Sequence, residues 1–201
     1  MRDYGKVLHF LETRGQSRFH RNYKIRKEDH PFIVRLAAYF LADEEACQQL
    51  DIDLNKGILI SGPIGIGKST WMQLMQELAV KSQRFYYTTC RQVAFEFIQD
   101  GFGVIQKYSR GDLHSFSGKS ICFDDLGTGN NFKYYGNECN VLGEILLSRY
   151  DLFVSHRIKT HLTTNLSASE IDRYYSRRTR SRLREMMNLL AVPASWKDKR
   201  S

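Results

Sequence analysis

The chain has 201 residues, 42% of them hydrophobic, and its 30 Lys and Arg against 22 Asp and Glu leave a formal charge of +8. This is enough for one α/β domain with a sizeable core plus an appendage. No apolar run approaches the roughly 18 residues of a membrane span, the charged start lacks a signal-peptide core, and Cys47, Cys90, Cys122 and Cys139 stand far apart without a C-x-x-C pair, which excludes a membrane protein, a secreted disulfide scaffold and a cysteine metal cluster and reads as a cytoplasmic protein with reduced core thiols.

The charge sits at the two ends: residues 173–201 hold nine basic against two acidic residues, and residues 1–30 eight against four. An anionic partner, nucleic acid first, is expected there, with a solvated basic tail as the plain alternative. Tyr4, Val7, Leu8 and Leu11 recur at helical spacing and predict a short amphipathic helix over the first dozen residues. Its apolar stripe is expected to pack on the main domain, with docking to another protein as the alternative. Residues 14–29 mix Arg and Lys with Phe19, His20 and Tyr23 without a period and read as a basic linker, a composition that suits single-stranded nucleic acid. Pro31 then opens a second helix whose apolar face continues to about Leu50.

Behind a short apolar strand, Gly62-Pro63-Ile64-Gly65-Ile66-Gly67-Lys68-Ser69 fits G-x-x-x-x-G-K-[ST], the phosphate-binding loop, and a helix leaves it. Glycines at this spacing let backbone N–H groups wrap a phosphate, and the helix points its positive dipole end at the same anion. Lys68 is expected to reach the β- and γ-phosphates and the Ser69 hydroxyl to ligate Mg²⁺, with residues from Gly62 to Thr70 forming the nucleotide-binding segment.

Trp71, Leu74, Met75, Leu78 and Ala79 give the following helix a face for packing on a sheet. A second strand is read at FYYTT, 85–89, then a helix broken at Gly101-Phe102-Gly103, then a polar surface loop over 107–117. SICFDDLG, 120–127, is an apolar strand that ends in two carboxylates: Asp124 is expected to hold the Mg²⁺ shell and Asp125 to orient or polarise the attacking water, with a simple turn as the alternative. A helix over 141–154 places Arg149 on its apolar face, where the charge needs a partner, local or on a neighbouring subunit. KTHLTTN, 159–165, reads as a strand running out into Asn165, whose neutral amide is expected to position water beside a γ-phosphate unless it caps a helix, for which Ser167 is the better residue. The arginines of 176–187 form a solvated or DNA-facing helix.

GPIGIGKS at 62–69, ICFDDLG at 121–127, HLTTNL at 161–166 and RTRSRLREM at 178–186 stand in the order and spacing of the AAA+ ATPases, and the DDLG, TTNL and SRLxEM forms make the chain similar to DnaC-type helicase loaders and IstB-type transposition helpers. The resemblance covers about residues 55–187. It implies a three-layer α/β/α P-loop domain over 51–201 with a five-stranded, mainly parallel sheet (strands near 57–61, 84–89, 119–124, 159–164 and 188–192), a helical extension over 1–50, and no helical lid. It makes Lys68 and Ser69 the first Walker motif, Asp124 and Asp125 the second and Asn165 the first sensor. Arg182 takes the place of an arginine finger inserted into the next subunit's site, with Arg178 as second choice. ATP and Mg²⁺ are the implied cofactors, and hydrolysis is expected to be slow because Asp125 stands where many such enzymes have Glu. The implied partners are further copies of the chain, assembled through the nucleotide site, single-stranded DNA, and a hexameric replicative helicase or a transposase. The N-terminal part lacks the zinc-binding cysteines of some loaders. GTPases and ABC ATPases fit less well, since neither N-K-x-D nor LSGGQ is present, while a nucleoside kinase and a non-hydrolysing nucleotide-binding adaptor are the other readings.

Overall fold

The amino-terminal residues form helices, two of which start on the carboxylate of an aspartate. In this computed structural model, which describes residues 2–111, 119–127, 132–134, 137–193, 196 and 198, they belong to a unit made of Met1–Leu54 with Gly67–Arg84. Helix α1 (Tyr4–Arg18) starts at Asp3, whose carboxylate accepts the Lys6 N–H, and buries Leu11 and Gly15. It is longer than the sequence pattern predicts, since residues 14–18 of the expected linker are helical. This last stretch makes tertiary contacts: Gly15 is buried against the Tyr23 ring, and Arg14 and Arg18 both reach Glu77 on helix α4 (Lys68–Leu78). Burial pushes the Glu77 carboxyl up, but hydrogen bonds from Arg18 and Arg14 outweigh it and hold it below its ordinary value. The single helix expected from Pro31 to Leu50 is two, α2 (His30–Phe40) and α3 (Glu44–Gln49). The break lies at Ala42, in the left-handed region at φ 50°, and Asp43 restarts the helix by accepting the Ala46 N–H. Phe32 of α2 packs its ring on Trp71 of α4 at 5.1 Å, so the apolar stripes of this unit cover one another.

The second unit, Asn55–Ile66 with Phe85–Ser201, is built on a parallel sheet. Strands β1 (Gly57–Ser61), β2 (Phe85–Thr89), β3 (Ser120–Leu126), β6 (Thr160–Thr164) and β7 (Met187–Ala191) stand in the order β2-β3-β6-β1-β7. Every pairing is parallel, and all five strands fall within two residues of their expected ends. A separate hairpin joins β4 (Phe132–Tyr134) to β5 (Asn137–Cys139). The crossovers are helical, as parallel strands require: α5 (Cys90–Asp100) and α6 (Gly103–Gln106) lead to β3, α7 (Val141–His156) to β6, and α8 (Ala168–Tyr175) and α9 (Arg177–Met186) to β7. Lys107–Gly111, expected in a surface loop, is instead a π-helical turn with Tyr108 and Ser109 buried; residues 112–117 of that expected loop lie outside the described residues.

β6 is the central strand, and all five residues of its THLTT sequence are buried. Only one is apolar, so the others need partners. Thr160 accepts from Arg149 Nε at 2.6 Å, and three more Arg149 donors go to the carbonyls of Tyr108, Lys119 and Lys159. The buried cation on the apolar face of α7 thus meets local backbone oxygens that fasten α7 to the starts of β3 and β6, not a neighbouring subunit, and burial lowers its pKa to about 10. His161, fully buried, accepts the Ile58 N–H at Nδ1 at 3.0 Å, so its other ring nitrogen carries the proton of the neutral form. Burial, with the charges of Lys159 and Arg149 adding to it, lowers the His161 pKa to about 3.

This gives a pH signature with a definite sign. The unfolded chain takes up the His161 proton near pH 6.5 while the folded chain stays neutral to about pH 3. Stability from this group is therefore complete above pH 6.5 and is lost as pH falls towards 3, with a slope of up to about 1.4 kcal/mol per pH unit. In urea titrations between pH 7.5 and 4, His161→Asn, which keeps an acceptor but cannot titrate, should show a shallower loss of stability than the wild type.

Candidate active site

Three neighbouring strands, β3, β6 and β1, deliver their carboxyl ends to one edge of the sheet, where ligands of open α/β sheets bind. At β3 the ladder is irregular: Phe123 pairs with Leu162 and Leu126 with Thr164, so Asp124 and Asp125 together stand opposite the single residue Thr163. This is a β-bulge, and Asp125 takes its left-handed conformation at φ 60°. Thr163 holds both bulge residues. Its hydroxyl donates to Asp124 Oδ1 at 2.6 Å and accepts the Asp125 N–H at 2.8 Å. Thr164 repeats the device one residue on, donating to the Leu126 carbonyl at 2.7 Å and accepting the Leu166 N–H at 3.0 Å. As a result Asp124 is buried, at 4% exposure, with its carboxylate oriented, while Asp125 faces outward at the strand end. Burial pushes the Cys90 thiol well above its ordinary value, with the Asp124 and Asp125 charges adding to the shift, so this cysteine is an inert neighbour of the carboxylates.

The phosphate loop leaves the same edge. Gly62, just past β1, donates its N–H to the Thr164 carbonyl at 3.2 Å, which ties the start of the loop to the strand that holds the bulge. Pro63 and the exposed Ile64 form the tip, and Ile66 is buried beneath it. Gly65 and Gly67 sit at φ 82° and 98°, a conformation that side chains rarely adopt. Gly67 is the N-cap residue of α4, so Lys68, 8% exposed, is the first helical residue, with the half-buried Ser69 and Thr70 behind it in the first turn. Asn165 follows β6 directly and is exposed.

Of the residues singled out from the sequence, Gly62, Asp124, Asp125 and Asn165 therefore meet at the ends of three adjacent strands. Arg182 is placed differently: its guanidinium lies 4.7 Å over the Tyr150 ring, whose hydroxyl donates to Glu185 at 2.8 Å. Arg178 is exposed on α9. Thr163 and Thr164 were not among the selected residues. Their signal was available, since two adjacent threonines at the end of a strand expected to be central must bury at least one hydroxyl, which then has to find a partner. Within the sheet-bearing unit, the oriented and buried carboxylate of Asp124 is an oxygen ligand of the kind a hard divalent cation takes, and a glycine-rich loop that runs into a helix start is of the kind that receives phosphate.

Thr163→Val removes one hydroxyl from two hydrogen bonds and leaves a buried carboxylate and an N–H without it. It should cost about 2–4 kcal/mol in denaturant unfolding, whereas Thr163→Ser should stay close to the wild type. Equal stability of the valine variant would mean that the bulge is held by other contacts.

No family model matches the sequence, and no curated protein does. Solved structures do. The DnaC helicase loader is similar at a TM-score of 0.52 and 16% identity, over 83% of this chain and 89% of that one. DnaI is similar at 0.55 and 16%, over 87% of each chain. AMPPCP-bound DnaA from Aquifex aeolicus is similar at 0.51 and 17%, over 76% of this chain and 45% of that one. At such identities the likeness is one of fold: the chain shares with these structures an α/β fold built on a five-stranded parallel sheet.

Proposed function

We propose that the chain is a cytoplasmic ATPase accessory to DNA replication, a loader of the DnaC type that uses ATP and Mg²⁺ to place a hexameric helicase on single-stranded DNA. The observation that carries this reading is the bulge that sets Asp124 inward and Asp125 outward on the strand next to the one bonded to the phosphate loop. One structure of the same fold is named a helicase loader, and another is bound to the ATP analogue AMPPCP.

Bound ATP with Mg²⁺ would supply the phosphoanhydride bond and a strong local positive charge. Gly62 to Thr70 would wrap the phosphates, Lys68 would neutralise the β- and γ-phosphates, and Ser69 with Asp124 would hold the metal. Asp125 would accept hydrogen bonds from the attacking water, and the Asn165 amide would position it without adding charge. Arg182 would act on the site of the next subunit, giving up its Tyr150 ring contact as copies assemble; a cation–π contact of this kind is worth only about 0.5–1 kcal/mol when exposed.

For DNA, the basic surface of α9 supports the reading. Arg177, Arg180 and Arg184, at i, i+3 and i+7, line a groove of about 320 Å³ with Ser181 and Asp172, and Asp172 pairs with Arg180. A surface that gathers three guanidinium groups suits the phosphates of a single strand.

Lys68→Ala should abolish nucleotide binding, and Asp125→Asn should keep binding but stop turnover. Wild-type turnover per subunit should rise with protein concentration and with single-stranded DNA, and Arg182→Ala should lower it by about 10³-fold. A low rate that ignores concentration, DNA and Arg182→Ala would favour a non-hydrolysing adaptor.

Affinity for single-stranded DNA should fall steeply with salt. Replacing Arg177, Arg178 and Arg180 together by Ala should reduce the slope of log K against log salt by about two units, about 0.7 for each phosphate that an arginine no longer neutralises. Fluorescence anisotropy at several salt concentrations checks this, and salt-insensitive binding would refute the electrostatic interaction.

A further inference from the structure

The segment after β7 turns back onto the phosphate loop. The Val192 N–H continues the ladder by donating to the Ser61 carbonyl at 2.7 Å, and the Val192 side chain packs on Gly62, where an added Cβ would meet it at 2.8 Å. The Trp196 N–H donates to the Pro193 carbonyl at 3.1 Å. The carboxylate of Asp198 lies directly against Gly65, where any side chain would take the carboxylate's own place. Two sequence features make the contact notable. Gly65 is the middle glycine of a loop whose composition serves to receive an anion, and Asp198 is the only acid among Lys197, Lys199 and Arg200.

We propose that Asp198 is a built-in competitor of the nucleotide: it covers the phosphate loop from the segment after β7, and a polyphosphate must displace it to bind. The proposal rests on the nucleotide reading of the loop. A carboxylate against Gly65 repels a second anion at the same loop, and its volume lies where the backbone was left bare. If the displaced conformation is a minority, the apparent affinity for nucleotide falls by that fraction. Asp198 is exposed, so salt screens its charge and water solvates it when it leaves. The contact therefore acts as a light latch that links phosphate binding to release of Asp198.

The test is titration of a fluorescent ATP analogue with Mg²⁺ into the full chain, at low and at high salt, for the wild type, Asp198→Asn, Asp198→Glu and Lys68→Ala, with thermal unfolding of each as a folding control. Asp198→Asn should bind about three- to tenfold tighter than the wild type at low salt, with the gain shrinking at high salt, and Asp198→Glu should stay near the wild type. If Lys68→Ala loses binding but Asp198→Asn binds equally or more weakly than the wild type, the latch is refuted and the nucleotide site stands. If the wild type does not bind, or binds regardless of Lys68, the nucleotide reading fails, and the latch with it.

Discussion

The hydrogen bonds of one polar strand hold the sheet-bearing unit together. β6 lies between β3 and β1 in the sheet, yet four of its five buried residues are Thr or His. In an apolar interior each would cost on the order of 1–3 kcal/mol without a partner, and each instead has one. Thr160 takes Arg149 of α7, His161 takes the backbone of β1, Thr163 takes both carboxylate residues of β3, and Thr164 takes the end of β3 and the turn that follows β6. The strand thereby sets the register of its neighbours where apolar packing alone would leave it looser.

The chemistry grows from the same bonds. A plain ladder would pair each β3 residue with one partner; two carboxylates against one threonine force a bulge, and a bulge re-aims side chains. Asp124 and Asp125 thus acquire different surroundings, one buried and held by a hydroxyl, the other outward at the strand end. Separate roles for two adjacent identical residues need such a difference. Because the Thr164 carbonyl also receives the Gly62 N–H, the loop and the carboxylates share one support.

The arginines divide by burial. Arg149 is structural: its four hydrogen bonds, to a hydroxyl and to three carbonyls, disperse its charge over neutral oxygens. The arginines of α9 lie at the surface or half-buried, on a helix entered through Ser176 at φ 82°. One face carries the groove of Arg177, Arg180 and Arg184, while Arg182 is turned to Tyr150. One cationic segment therefore offers two surfaces, one lined by three guanidinium groups and one positioned by an aromatic ring.

The sequence by itself determined the strands, the phosphate loop and the carboxylate pair, because each is a local pattern: apolar runs of strand length, glycines at fixed offsets before a helix, and charges that end an apolar run. The break between α2 and α3 was also locally coded, by Asp43 followed by Glu44 and Glu45, but the apolar periodicity running through it masked the signal. Only the tertiary structure decided the extension of α1, whose last turns meet Glu77 far along the chain, and the burial of Arg149, whose carbonyl partners are Tyr108, Lys119 and Lys159. The same holds for the part played by Thr163 and for the return of Asp198 to Gly65. These features pair residues distant in sequence, and no local pattern specifies which distant donor a buried or strained group will meet; strand order and register do.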